Sequence, residues 1–235
     1  YKYDASSETY DIVKEGVTDT TCYIEENATG DMAIYYYAVS PVLNDYEAAA
    51  VVGYAVLGTP YSLPLYESFV DGTLSTNPWV IASTDYAGWT VVSSLTSADG
   101  LTVSSQDDDD GMLIFYTYTL GSSGIVDIPK IKLVQKDVIN NYLKFWIYQG
   151  SGIATSGNAY VIIKASADDN NFVNISDTIR INSGDGWTPY VIRLDNYKTS
   201  NYLTLRIFAN IDNYKECVCI DNISVYPLFA EDLAV

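Results

Sequence analysis

The chain has 235 residues, 48% of them apolar, enough for one large β domain or two smaller ones and too many for a disordered segment. Thirty Asp and Glu against twelve Lys and Arg leave a net charge of −18, which argues against nucleic acid or anionic membrane as a partner and suits an extracellular protein or a binder of hard cations such as Ca²⁺. Histidine is absent, which removes Ser-His and Cys-His catalysis and every His-based zinc or iron site.

The opening YKYDASS carries no initiator Met, basic segment or apolar signal core, so it reads as a mature piece or the ordered part of something longer. No run of about 18 or more apolar residues follows, and membrane insertion is not expected. AIYYYAVSPV and AAAVVGYAVLG read as strands; DYEAAAVVGYAV comes nearest to a helical stripe, but its end again favours a strand. Two prolines and a glycine in GTPYSLP interrupt the pattern and suggest a boundary, with a unit over 1–58, a linker over 59–64 and a larger unit over 65–228. In that larger part YLKFWIYQG sets Leu143, Phe145 and Ile147 against Tyr142, Lys144, Trp146 and Tyr148. AYVIIKAS, TPYVIRL and YLTLRIFANI repeat the period of two between turn signals such as GSSG, ADDNN and NSGDG. The chain is therefore predicted to be all-β, with a sandwich in its longer part. PLFAEDLAV, including 229–235, reads as the start of a linker to a following domain.

Cys22, Cys217 and Cys219 show no disulfide framework. The last two stand two apart on one predicted strand, on one face, and read as small buried hydrophobes. The run QDDDDGMLIF places Asp107 to Asp110 at the entrance of a strand. It lacks the EF-hand spacing, and contiguous side chains diverge, so at most two of the four can face one ion. Two readings stay open: a solvated loop, or a calcium site involving Asp108 or Asp110. Paired carboxylates would suffice for glycoside hydrolysis, but with so many acids a close pair proves nothing. No phosphate-cradling glycine loop is present, and catalysis is not expected. Among the aromatics, Trp146 and Trp187 read as core or rim, whereas Trp79 and Trp89, in the less regular 73–106 segment, are candidates for contact with a glycan or a protein.

Six segments, in order, resemble the cleaved-adhesin domains of gingipain-type proteases and, more distantly, MAM-like jelly rolls: LYESFVDG (65–72), DIPKIKL (127–133), YLKFWIY (142–148), VIIKASADDNNFVNI (161–175), GWTPYVIRLDNY (186–197) and CIDNISVY (219–226). Asn222 stands where that family has a second Asp. The first 58 residues resemble the second half of a fibronectin type III domain, lacking its first strands and so either truncated or completed by another chain. EDLAV resembles the entry to a bacterial immunoglobulin-like adhesion domain of large surface proteins of Bacteroidota. The resemblance implies a jelly-roll β-sandwich preceded by a partial fibronectin type III-like unit. It further implies a secreted or cell-surface adhesin module that binds a host protein, a glycan or a sibling domain; the alternative is a carbohydrate-binding accessory module of a multidomain hydrolase. It also implies a structural Ca²⁺ between a Glu of the first strand and an Asp of the last, here Glu67 and Asp221, with Asp71 as a third candidate. Asp221 interrupts an apolar strand, where an unpaired carboxylate is costly; plain hydrogen-bonded or exposed carboxylates are the competing reading. Asp177-Thr178-Ile179 fits an O-glycosylation pattern of Bacteroidota, or an ordinary turn.

Overall fold

The computed structural model describes residues 1–18, 30–83, 87–96, 100, 102–109, 111–118, 121–150, 153, 158–182, 184, 186–212, 214 and 216–229, with the backbone alone at 71 and 83. Cys22 and Asp110 lie outside the described residues, as does the side chain of Asp71. The chain divides into two units, Tyr1–Thr59 and Pro60–Val235.

In the first unit, Ala33–Val39 and Val51–Leu57 pair antiparallel over their full length, and Lys2–Asp4 and Thr9–Asp11 extend the sheet beyond Ala33–Val39. Ala38 is the one buried apolar residue of this unit among the described residues.

The second unit is a β-sandwich of two main antiparallel sheets. Its main strands are β1 (Leu65–Glu67), β2 (Val80–Ser83), β3 (Ala87–Val92), β4 (Met112–Thr117), β5 (Ser122–Asp127) and β6 (Val138–Gln149). They continue with β7 (Tyr160–Ser166), β8 (Val173–Asn174), β9 (Ile179–Arg180), β10 (Gly186–Arg193), β11 (Thr204–Ile211) and β12 (Cys217–Phe229). One sheet runs β3–β4–β12–β6–β10, with β1 also on β12; the other runs β8–β7–β11–β5–β2, with β9 also on β7. The alternation expected from YLKFWIYQG is realised: Leu143, Phe145 and Ile147 enter the core between the sheets with Val161, Ile163, Leu205 and Ile207. A hairpin of Ser94–Thr96 and Thr102–Ser104 leads into the acidic run. Among the described residues no helix is long and apolar enough to cross a membrane.

Candidate cation site

Strand β12 is the longest in the sandwich and changes neighbour halfway along one edge. Cys217–Ile220 pair with β4, whereas Ile223–Val225 pair with β1. Asp221 and Asn222 fall in the gap between those partners. On the opposite edge the register with β6 shifts between Lys144 and Trp146, a β-bulge, and Asn222 takes a positive φ of 51°. The bulge and the missing partner free this one stretch of an otherwise buried strand for side-chain chemistry.

The strand-entry loop fills the gap. Asp221, fully buried, accepts the main-chain N–H of Gln106 and that of Asn222, each at 2.7 Å. The Asn222 amide donates to Gln106 Oε1 at 2.7 Å, and the Tyr66 hydroxyl meets Asn222 Oδ1. Gly111 holds the same loop against the turn after β1, for a Cβ there would lie 1.7 Å from the Phe69 carbonyl oxygen. Only glycine permits that approach.

Carboxylate oxygens of Asp107, Asp109 and Asp221 thereby lie within 4.8 Å of one another. Asp107 is exposed, Asp109 half-buried and Asp221 buried, so the group opens to solvent on one side. Among the described ion pairs none brings a Lys or Arg to these three. Burial drives the Asp221 carboxyl up to about 7; the Gln106 and Asn222 N–H groups oppose the shift, and the charges of Asp107 and Asp109 add to it. Asp109 is also raised, first by burial and then by Asp107, against a hydrogen bond from Ser68. Three carboxylates in such proximity repel one another unless protons or a cation intervene. The donor set is entirely oxygen, which suits Ca²⁺ or another hard divalent ion.

Of the expected residues, Asp221 belongs to this group and Glu67 does not. The fully buried Glu67 carboxylate accepts four hydrogen bonds: from the Phe69 N–H at 3.1 Å, the Ser75 hydroxyl at 2.9 Å, and the Thr76 N–H and hydroxyl at 2.9 Å each. Its lone pairs are thus occupied in fixing the 69–76 turn. Asp108 is exposed, with a φ of 62°, and stands outside the group. Within the run it is Asp107 and Asp109 that converge, because a bend at Asp108 brings i and i+2 to one side, and Asp110 lies outside the described residues.

The tryptophans differ in burial from the sequence expectation. Trp79 and Trp89 are only 7% and 6% exposed, packed on Phe69 and Phe115, and both line one cavity of about 430 Å³ together with Leu74, Ile81 and Val126. Trp146 and Trp187 are the half-exposed pair, on the outer face of β6 and β10. Strand pairing decides this: Trp89 lies opposite core Phe115, and Trp146 alternates with core Phe145 and Ile147. Cys217 and Cys219 are both buried, with their sulfurs 3.9 Å apart. Asp177 and Thr178 are exposed.

No family model matches the chain, and no curated protein does. Solved structures similar to it include the K1 cleaved adhesin domain of Lys-gingipain from Porphyromonas gingivalis W83, at 17% identity over 69% of this chain and 96% of that one, with a TM-score of 0.49. The K3 domain of the same protein is similar at 15% identity over 69% and 96%, with a TM-score of 0.49. TmCBM61, solved in complex with β-1,4-galactotriose, is similar at 15% identity over 68% and 94%, with a TM-score of 0.47. The cleaved adhesin domains among them are the class that the sequence motifs resemble.

Proposed function

We propose that residues 60–229 form a non-catalytic binding module of a secreted or cell-surface protein, with its fold fastened by a divalent cation, Ca²⁺, held by Asp107, Asp109 and Asp221. The observation that carries the cation is their convergence within 4.8 Å around one buried carboxylate. The ion would be structural. It would join the loop entering β4 to the strand that pairs with β1, β4 and β6, and so tie together segments far apart in sequence. The all-β sandwich, the lack of histidine and the acidic surface support a module that binds rather than transforms its ligand. The partner is a host protein, a glycan or a sibling domain of the parent chain.

Thermal unfolding in EDTA and in Ca²⁺ tests this reading. A cation at a hundredfold excess over its Kd contributes about 2.7 kcal/mol, so chelation should lower the midpoint of the second unit by about 5–10 °C. Ca²⁺ should restore it and Mg²⁺ should not. A midpoint indifferent to chelation would overturn the cation assignment. The second reading, a carbohydrate-binding accessory module, keeps the same cation and is favoured by the half-exposed aromatic residues on the outer face of β6 and β10.

A further inference from the structure

On the outer face of the first sheet, β6 presents Tyr142, Lys144, Trp146 and Tyr148, all half-buried, opposite Arg193, Val191, Pro189 and Trp187 of β10. On its other side, Tyr142, Lys144 and Trp146 lie opposite Tyr226, Ser224 and Asp221 of β12. The rings are ordered by one another. Tyr142 stacks on Tyr226 at 5.9 Å, Tyr148 meets Trp187 edge-on at 5.6 Å, and the Lys144 ammonium stands 5.6 Å from the Trp146 ring centre. One end of this row is walled. The Trp187 indole N–H donates to the Ser104 carbonyl at 3.0 Å while Gln106 bonds Asp221, so residues 104–106 cross the face from β10 to β12. Tyr142 and Trp146 lie four residues apart on an antiparallel strand, hence about 13 Å apart. The surface is therefore an elongated row of half-buried rings, and at its walled end Tyr148 and Trp187 also pack against the core.

We infer that this row of rings binds a neutral oligosaccharide, its pyranose faces on Trp146 and the neighbouring rings and its hydroxyls met by the tyrosine hydroxyls and Lys144. Charge selects the ligand from two directions. A chain of net charge −18 repels polyanions, and Lys144 on the face disfavours a cation there, whereas Arg193 is neutralised by Asp195 at 2.6 Å. Flat amphipathic rings call for a ligand with an apolar face and a polar rim. A protein partner would instead bring anchors for well-packed pockets, and here a row of rings stands with Val191 at its margin. The inference rests on the reading of the chain as a binding module and names its ligand class; it does not require the cation.

Calorimetric titration of the full chain with neutral hexasaccharides (β-1,4-glucan, xylan, mannan and galactan) tests the inference. At least one should bind saturably. Trp146→Ala should then weaken it at least about tenfold, with Trp146→Tyr restoring part of the affinity and an unchanged midpoint showing that the fold is intact. Trp89→Phe, in the core, should leave affinity unaltered. Failure of all four sugars to bind, full affinity in Trp146→Ala, or preference for an acidic hexagalacturonate would each overturn it. Unfolding in EDTA reads the cation independently, so either proposal can fail while the other stands.

Discussion

The Gln106 main-chain N–H donates to the buried Asp221 carboxylate at 2.7 Å, across 115 positions of sequence. That bond anchors the acidic loop to the last strand at the point where β12 passes from β4 to β1. It also leaves Asp221 with a charge that two neighbouring carboxylates make harder to hold. What the protein does about that charge should be visible in its dependence on pH and on cations.

In chelator, the folded chain retains a proton on Asp221 up to a pH of about 7, whereas the unfolded chain releases it near pH 4, roughly the ordinary value for Asp. Between these values the folded state binds more protons, so Asp221 makes stability fall as pH rises from about 4 to about 7. Excess Ca²⁺ should displace the proton and remove this slope. Denaturant midpoints across that range, compared between wild type and Asp221→Asn, isolate the effect from the other acids. An identical pH profile for the two proteins in EDTA would contradict the account.

Glu67 serves a different end. Each oxygen of the fully buried carboxylate accepts one main-chain N–H and one hydroxyl, so in Glu67→Gln the amide NH2 must face either the Phe69 or the Thr76 N–H, neither of which can accept. The expected loss is about 2–4 kcal/mol. Ca²⁺ should raise the midpoint of this variant by as much as that of wild type, because Glu67 fixes the 69–76 turn and lies outside the cluster. A variant that had lost its calcium response would restore Glu67 to the site.

Much of this fold is legible in the sequence because period-two alternation maps directly onto burial: Leu143, Phe145 and Ile147 go in, while Tyr142, Trp146 and Tyr148 go out. Asp221 is legible for the same reason, as a carboxylate among apolar neighbours. The partners of Asp221 are not, for they depend on the left-handed turn at Asp108 and on a contact made far along the chain. Glu67 misleads because its position in the motif cannot reveal Ser75 and Thr76 folding back onto it. Trp79 and Trp89 mislead because an irregular stretch of sequence looks exposed until its edge strands are paired. A consistent reading of the parity of β6 would already have placed Trp146 opposite the core.

Gly111 is the hinge between the acidic run and β4, and its place against the Phe69 carbonyl leaves no room for a methyl group. Gly111→Ala should separate the loop from the turn after β1 and spread the three carboxylates. Stability should fall by at least about 2 kcal/mol, and the apparent affinity for Ca²⁺ should fall with it, measured by titrating the midpoint against free Ca²⁺. Wild-type affinity in this variant would show that the cluster forms without that contact.

The second sheet carries a partly buried ion pair that tests a separate part of the sandwich. Arg206 holds Asp127 through two bonds of 2.6 and 2.8 Å, with Phe172 stacked 3.5 Å from the guanidinium. Burial nevertheless raises the Asp127 carboxyl above its ordinary range, even though Arg206 works in the opposite direction. Desolvation of the pair therefore consumes much of its Coulombic gain. Asp127→Leu alone leaves a guanidinium without its carboxylate and should cost about 3–5 kcal/mol. Replacing both, with Asp127→Leu and Arg206→Met, removes the desolvation as well as the attraction and should recover most of that loss. Chemical denaturation of the two single variants and the double variant measures the coupling directly. Additive losses would show that the pair contributes nothing beyond its separate side chains.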